Sequence, residues 1–149
     1  MPSLKLRFDS TDRPLLCVEG KPGITLQAAF QMHPPNVVPR FMEDFLVDTG
    51  ATGCWVEEDL IAPWHLMKNF PILTKSGLKP IVAGYAYPLS FRLQERGQAA
   101  SLYFPVWPVG TVPTGTFGGI VRGLIGVDLL KGVALRYDGP NATCDLSWP

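Results

Sequence analysis

Short apolar runs, separated by breaks rich in proline and glycine, follow one another along the whole chain. Leu4-Lys5-Leu6-Arg7-Phe8 alternates apolar and polar positions with the two-residue period of a strand. Pro14 to Val18, closed by Glu19-Gly20, predicts a second strand, and Ile24 to Phe30, after a Lys-Pro-Gly turn, a third. His33 to Pro39 predicts an irregular connection, because its prolines cannot donate to a central ladder. The run Phe41 to Val47 is a strand. Glu57 to Ile61 predicts a helical turn with its acids near the start, stopped by Pro63. Phe70 to Thr74 and Ile81 to Tyr87 flank the turn signal Lys75 to Pro80, Leu89 to Leu93 carries the chain back, and Arg96-Gly97 reverses it. Ala99 to Trp107 is a strand whose Pro105 and Pro108 push its end to a sheet edge, followed by a loop over Val109 to Gly119. Leu124-Ile125 then leads through Gly126 into a short helix. Val133 to Tyr137 and Thr143 to Trp148, joined by Asp138-Gly139-Pro140-Asn141, predict a terminal hairpin. The expectation is a mainly β chain with one or two short helices and no internal repeat.

Length and composition narrow this picture. The 149 residues suffice for one domain with its own core, and 46% hydrophobic content marks a globular chain. Fifteen prolines and fifteen glycines fit many short strands and turns. A formal net charge of zero gives no electrostatic reason to expect nucleic acid or an anionic membrane as partner. The start carries Lys5, Arg7 and Asp9 and no apolar core of a signal peptide. The longest apolar stretch, Gly118 to Leu135, is interrupted by Arg122, Asp128 and Lys131, so no membrane span is expected. Cys17, Cys54 and Cys144 are odd in number and lack the Cys-x-x-Cys spacing, which points to free thiols in a reducing, cytoplasmic setting.

The chemistry concentrates in Phe45-Leu46-Val47-Asp48-Thr49-Gly50-Ala51-Thr52, an apolar run that delivers an acid, a hydroxyl and a glycine in succession. Such a strand anchors in the core and holds the carboxylate at its end. Thr49 offers a hydroxyl able to lock the loop, and Gly50 removes a Cβ from the approach of another backbone. Asp48-Thr49-Gly50-Ala51 resembles the active-site signature of retropepsin-like aspartic peptidases, and Leu124-Ile125-Gly126-Val127-Asp128-Leu129-Leu130 resembles the second element of that family. The resemblance spans about Phe41 to Ser147.

The resemblance implies an acid-protease fold, a closed β-barrel forming half of a two-chain enzyme. On this reading residues 1–149 form one domain, with 1–40 as an N-terminal extension and 41–149 as a core containing a flap and the C-terminal hairpin. It implies Asp48 as the catalytic carboxylate, with Thr49, Gly50, Ala51 and Gly126 supporting the active loop. Gly126 would let the strand behind that loop touch it. A flap over bound peptide is expected at Ser76, Gly77, Leu78 and Lys79, with Ala83-Gly84-Tyr85 as the alternative tip. One Asp-Thr-Gly supplies one carboxylate, and the acid/base pair needs two. The implied enzyme is therefore a homodimer that pairs Asp48 across a two-fold axis and hydrolyses a polypeptide substrate, with no metal and no cofactor. Where viral members of the family carry a charged residue that braces the dimer, this chain has Val127.

Two other readings stand beside it: a catalytically inactive dimerisation or peptide-binding module of the same fold, and an unrelated small-ligand β-barrel. Asp128 reads as an acid favoured near a helix start. His33 and His65 have no partner at ligand spacing. Cys54 reads as a buried structural thiol. Trp55, Trp64, Trp107 and Trp148 read as core or dimer contacts, because no basic run accompanies them.

Overall fold

The computed structural model describes residues 1–24, 26–27, 38–64, 70–74 and 82–149. Its centre is the strand β4, Phe41–Val47, whose residues alternate between two apolar clusters. Phe45 and Val47 enter the larger core. Phe45 is fully buried and meets Phe91 edge-on at 5.8 Å between ring centroids. Burial of one such ring stabilises by about 1.5–3 kcal/mol relative to leaving it in water. Leu46 points the other way, into a small cluster with Leu15 and Val121.

Around β4 the strands close on themselves. Before it come β1 (Ser3–Lys5), β2 (Arg7–Phe8) and β3 (Pro14–Pro22); after it come β5 (Cys54–Glu57), β6 (Phe70–Thr74), β7 (Val82–Gln94), β8 (Leu102–Val112) and β9 (Gly123–Ile125). The ladder runs β2-β3-β4-β9-β5-β8-β7-β6, and a further pairing of β3 with β7, from Cys17 opposite Gln94 to Pro22 opposite Leu89, makes a closed six-strand barrel. Closure satisfies the backbone groups that an open sheet would leave at an edge. The strand that closes it, β3, lies in the segment before Phe41.

A second, three-stranded sheet has the order β1-β11-β10, with β10 at Ala134–Asp138 and β11 at Thr143–Ser147. β11 is antiparallel to both neighbours, Leu146 facing Leu4 on one side and Leu135 on the other. This sheet thus joins the two ends of the described chain in one ladder. Arg7 ties the N-terminal segment to the barrel by ion pairs to Asp44 and to Glu95, and these pairs raise its affinity for the proton. The fold is mainly β with few short helices, as the sequence pattern predicts: the 3₁₀ turns Glu58–Leu60 and Ala62–Trp64 and α1 at Val127–Leu130. No helix among the described residues is long and apolar enough to cross a membrane.

Several local expectations are corrected. Ile24, Leu26 and Gln27 are helical rather than extended, with the N–H groups of Leu26 and Gln27 donating to Gly23 O. Pro63 does not stop the chain turning, because it sits inside the second 3₁₀ turn. β8 runs through to Val112 and takes the first residues of the expected loop. Val109 is paired on both sides, to Tyr87 and Cys54, and Gly110 to Val112 pair with β5, while Pro105 and Pro108 lie where β5 does not reach, on a local edge as expected. Pro108 faces Pro88, and a bulge between Leu89 and Phe91 absorbs the irregularity near Pro105, so neither ring removes a donor that a neighbour needs.

Candidate active site

Asp48 lies one residue beyond β4, half-buried, and Thr49 and Gly50 after it are exposed. The Gly50 N–H donates to Asp48 Oδ1 at 2.8 Å, and the Ala51 N–H donates to Asp48 O at 3.2 Å, so a tight turn fixes the carboxylate from beneath. The chain cannot reorient this turn freely, because the segment after β9 is stitched to it. The Asp48 N–H donates to Ile125 O at 3.0 Å, the Val127 N–H to Ala51 O at 2.8 Å, and the Asp128 N–H to Thr52 O at 3.1 Å.

Gly126 lies at the middle of this seam. A Cβ built there would stand 2.2 Å from Gly53 O and 2.9 Å from Ala51 O, closer than real Cβ contacts allow. The two backbones touch because this residue has no side chain. β4 and β9 run parallel here, with Phe45 opposite Gly123 and Val47 opposite Ile125. A parallel pair needs a long crossover, and β5 to β8 provide it.

Asp128 lies in the first turn of α1, where an acid is favoured, and accepts the Leu129 N–H at 2.7 Å. It also accepts the Cys54 thiol at 3.6 Å and the Trp107 indole N–H at 3.2 Å. Those two contacts were not legible in the sequence, because Cys54 and Trp107 lie far from Asp128 along the chain. Burial first, then the negative charge of Asp128, push the Cys54 thiol above its ordinary proton affinity, which makes it a poor nucleophile. Trp64 and Trp148 are buried in the core, while Trp55 and Trp107 are half-buried.

A second polar cluster lies at the end of β5. Glu57 is buried and accepts Arg122 Nε at 2.6 Å, and Arg122 also bridges to both oxygens of Asp59. The Arg122 hydrogen bond holds the Asp59 carboxyl below the usual carboxylate range. Glu57 is the last residue of β5 rather than the first of the expected helical turn, and its burial has no signal in the sequence.

The expected flap residues Ser76, Gly77, Leu78 and Lys79 lie outside the described residues, as do His33 and His65. β6 and β7 form an antiparallel hairpin with Thr74 opposite Val82, so residues 75–81 join its strands. Ala83, Gly84 and Tyr85, the alternative tip, are paired within this ladder, Gly84 facing Ile72.

No protein-family model and no curated protein sequence matches the chain. Among solved structures, the crystal structure of a retropepsin-like aspartic protease from Rickettsia conorii is similar, with a TM-score of 0.51 and 15% identity over 99% of this chain and 91% of that one. At that identity the likeness is one of fold, and the barrel described above is retropepsin-like.

Proposed function

We propose that the chain is an aspartic endopeptidase that acts as a homodimer. The observation that carries this reading is the presentation of Asp48: a carboxylate at the end of a core strand, held by the Gly50 N–H, on a turn whose Thr49 and Gly50 are exposed. Around it the barrel has the fold of a retropepsin-like aspartic protease. In the chain alone Asp48 has no partner carboxylate among its hydrogen-bonded contacts in the described residues. A two-fold axis through the exposed turn supplies one, with Thr49 of each protomer against its partner.

Two carboxylates held close cannot both ionise cheaply, so one keeps a proton. The ionised one takes a proton from water as the water oxygen attacks the peptide carbonyl carbon. The protonated one donates to the carbonyl oxygen, giving a tetrahedral diol. Collapse of the diol returns a proton to the amide nitrogen, and the C–N bond breaks. The substrate is an extended polypeptide, bound beside apolar side chains and covered by the hairpin of β6 and β7, with the tip at Ser76, Gly77, Leu78 and Lys79. Three unpaired thiols accord with a reducing, cytoplasmic setting.

The test is cleavage of casein and of a peptide library by the wild type and by Asp48→Asn, with sedimentation of both. The wild type cleaves and sediments as a dimer at working concentration, and Asp48→Asn loses at least about a thousandfold in rate. Equal cleavage by the two proteins ends the reading, and a folded dimer without cleavage transfers it to a peptide-binding module.

A further inference from the structure

Glu57 ends β5 with its side chain 2% exposed, although an ionised carboxylate is strongly disfavoured away from water unless it is paired and hydrogen-bonded. Its partners come from a distant part of the chain. Arg122 Nε donates to Oε1 at 2.6 Å, the Gly115 N–H donates to Oε2 at 2.5 Å, and the Phe117 N–H reaches the same oxygen at 3.5 Å. The backbone repeats the link, since the Glu57 N–H donates to Arg122 O at 3.0 Å and the Arg122 N–H to Asp44 O at 2.9 Å.

The segment held in this way is otherwise loosely determined. Gly115, Gly118 and Gly119 have φ of +88°, +69° and +81°, the left-handed region that glycine reaches without strain. Internal support comes from single turns, Thr116 N–H to Pro113 O and Gly118 N–H to Gly115 O, each at 3.1 Å, with the Thr116 hydroxyl also donating to Pro113 O. Beyond these, Phe117 rests on the cluster of Leu15, Leu46 and Val121. Leu46 stands two positions before Asp48, and residues two apart on an extended chain share a face. Through Phe117 the 113–119 segment therefore packs on the face of β4 that Leu46 shares with Asp48.

We infer that Glu57 is a positioning residue: clamped by Arg122, its carboxylate fixes the 113–119 loop on the face of the sheet that carries Asp48 and so seats the polypeptide at the site. This rests on the endopeptidase reading above. Glu57 acts on substrate binding and touches no reacting atom.

The test uses the full chain with Glu57→Gln, which keeps the shape and loses the anionic acceptor, and Glu57→Asp, which keeps the charge. Amide hydrogen exchange is followed at Gly115 and Phe117, and steady-state kinetics on casein-derived peptides. In Glu57→Gln those two amides exchange at least about tenfold faster while the amides of β4 do not change. KM rises about tenfold with kcat within about twofold, and Glu57→Asp falls between the wild type and Glu57→Gln. Wild-type exchange at Gly115 and Phe117 overturns the inference. So does exchange that rises equally in β4, or a fall confined to kcat. If Glu57→Gln does not fold, Glu57→Asp decides in the same directions. Failure of the endopeptidase reading looks different: a wild type that cleaves no peptide, or Asp48→Asn that cleaves as well as the wild type, removes the reaction and this inference with it, whatever the exchange rates.

Discussion

Replacing Gly126 by alanine places one carbon where two backbones already touch. The new Cβ meets Gly53 O at 2.2 Å, Gly53 C at 2.6 Å and Ala51 O at 2.9 Å. All three are main-chain atoms, so no side chain can rotate out of the way. An ordinary carbon-to-oxygen contact is about 3.3 Å, so the seam must open by about 1 Å. That displacement breaks or stretches the bonds from Val127 N–H to Ala51 O and from Asp128 N–H to Thr52 O. The strain contributes about 1–3 kcal/mol and each lost bond about 1 kcal/mol, giving a destabilisation of about 3–5 kcal/mol. In a chain of this size that lowers Tm by about 6–20 °C. Gly53→Ala is the control, since a Cβ there has nothing within 4 Å. Urea unfolding followed by tryptophan fluorescence gives both values. Gly126→Ala within about 1 kcal/mol of the wild type would refute the reasoning. Gly53→Ala as damaging as Gly126→Ala would refute it equally, because the harm would then come from losing glycine and not from the close approach.

The remaining expectations are simpler. If Asp48 works as a shared-proton pair, the pH profile of cleavage peaks in the acid to mildly acidic range, and a flat profile through pH 8 contradicts it, at about one proton shared per dimer. The Asp59 carboxyl, depressed by Arg122 from its ordinary value of 3.8, contributes stability that is present above that value and lost as pH falls towards the folded one. Carbon-13 NMR titration should show Asp59 returning to the ordinary range in Arg122→Met, and an unmoved titration would discount the pair. Cys54 and Cys144 are buried and Cys17 is partly exposed, so a maleimide at neutral pH modifies Cys17 first. Mass spectrometry of the digested protein reads the order, and Cys54 reacting as fast as Cys17 would contradict the burial of its thiol.

The sequence disclosed the parts of the fold that repeat simply. The apolar run Phe41 to Val47 is the strand observed, with the same ends. Leu124-Ile125, the glycine and the helix after it occur as expected, and the terminal hairpin lies where its turn residues placed it. Short apolar runs served less well. Ile24 to Gln27 fits either period over so few residues, and the hydrogen bonds to Gly23 decide for a helical turn. The prolines of β8 did fall on a stretch with a neighbour on one side only, but the strand's run on to Val112 was missed, because Val109 to Val112 gain a ladder only when β5 lies alongside. Polar burial was the least legible. Glu57 and Asp128 look like surface acids until the fold brings Arg122 to one and Cys54 with Trp107 to the other. At the candidate site the motif singled out Asp48 and Gly126 as expectations, but the stitches from Ile125, Val127 and Asp128 belong to tertiary structure alone.

The terminal sheet has one further consequence. β11 has β1 along one side and β10 along the other, all from one polypeptide. Neither end of the chain has to be lent to a neighbour for that sheet to be complete. A copy that enters the proposed pair can bring this sheet with it already made. If activity needs such a pair, abundance is its throttle, and no strand of this sheet unravels as copies meet or part.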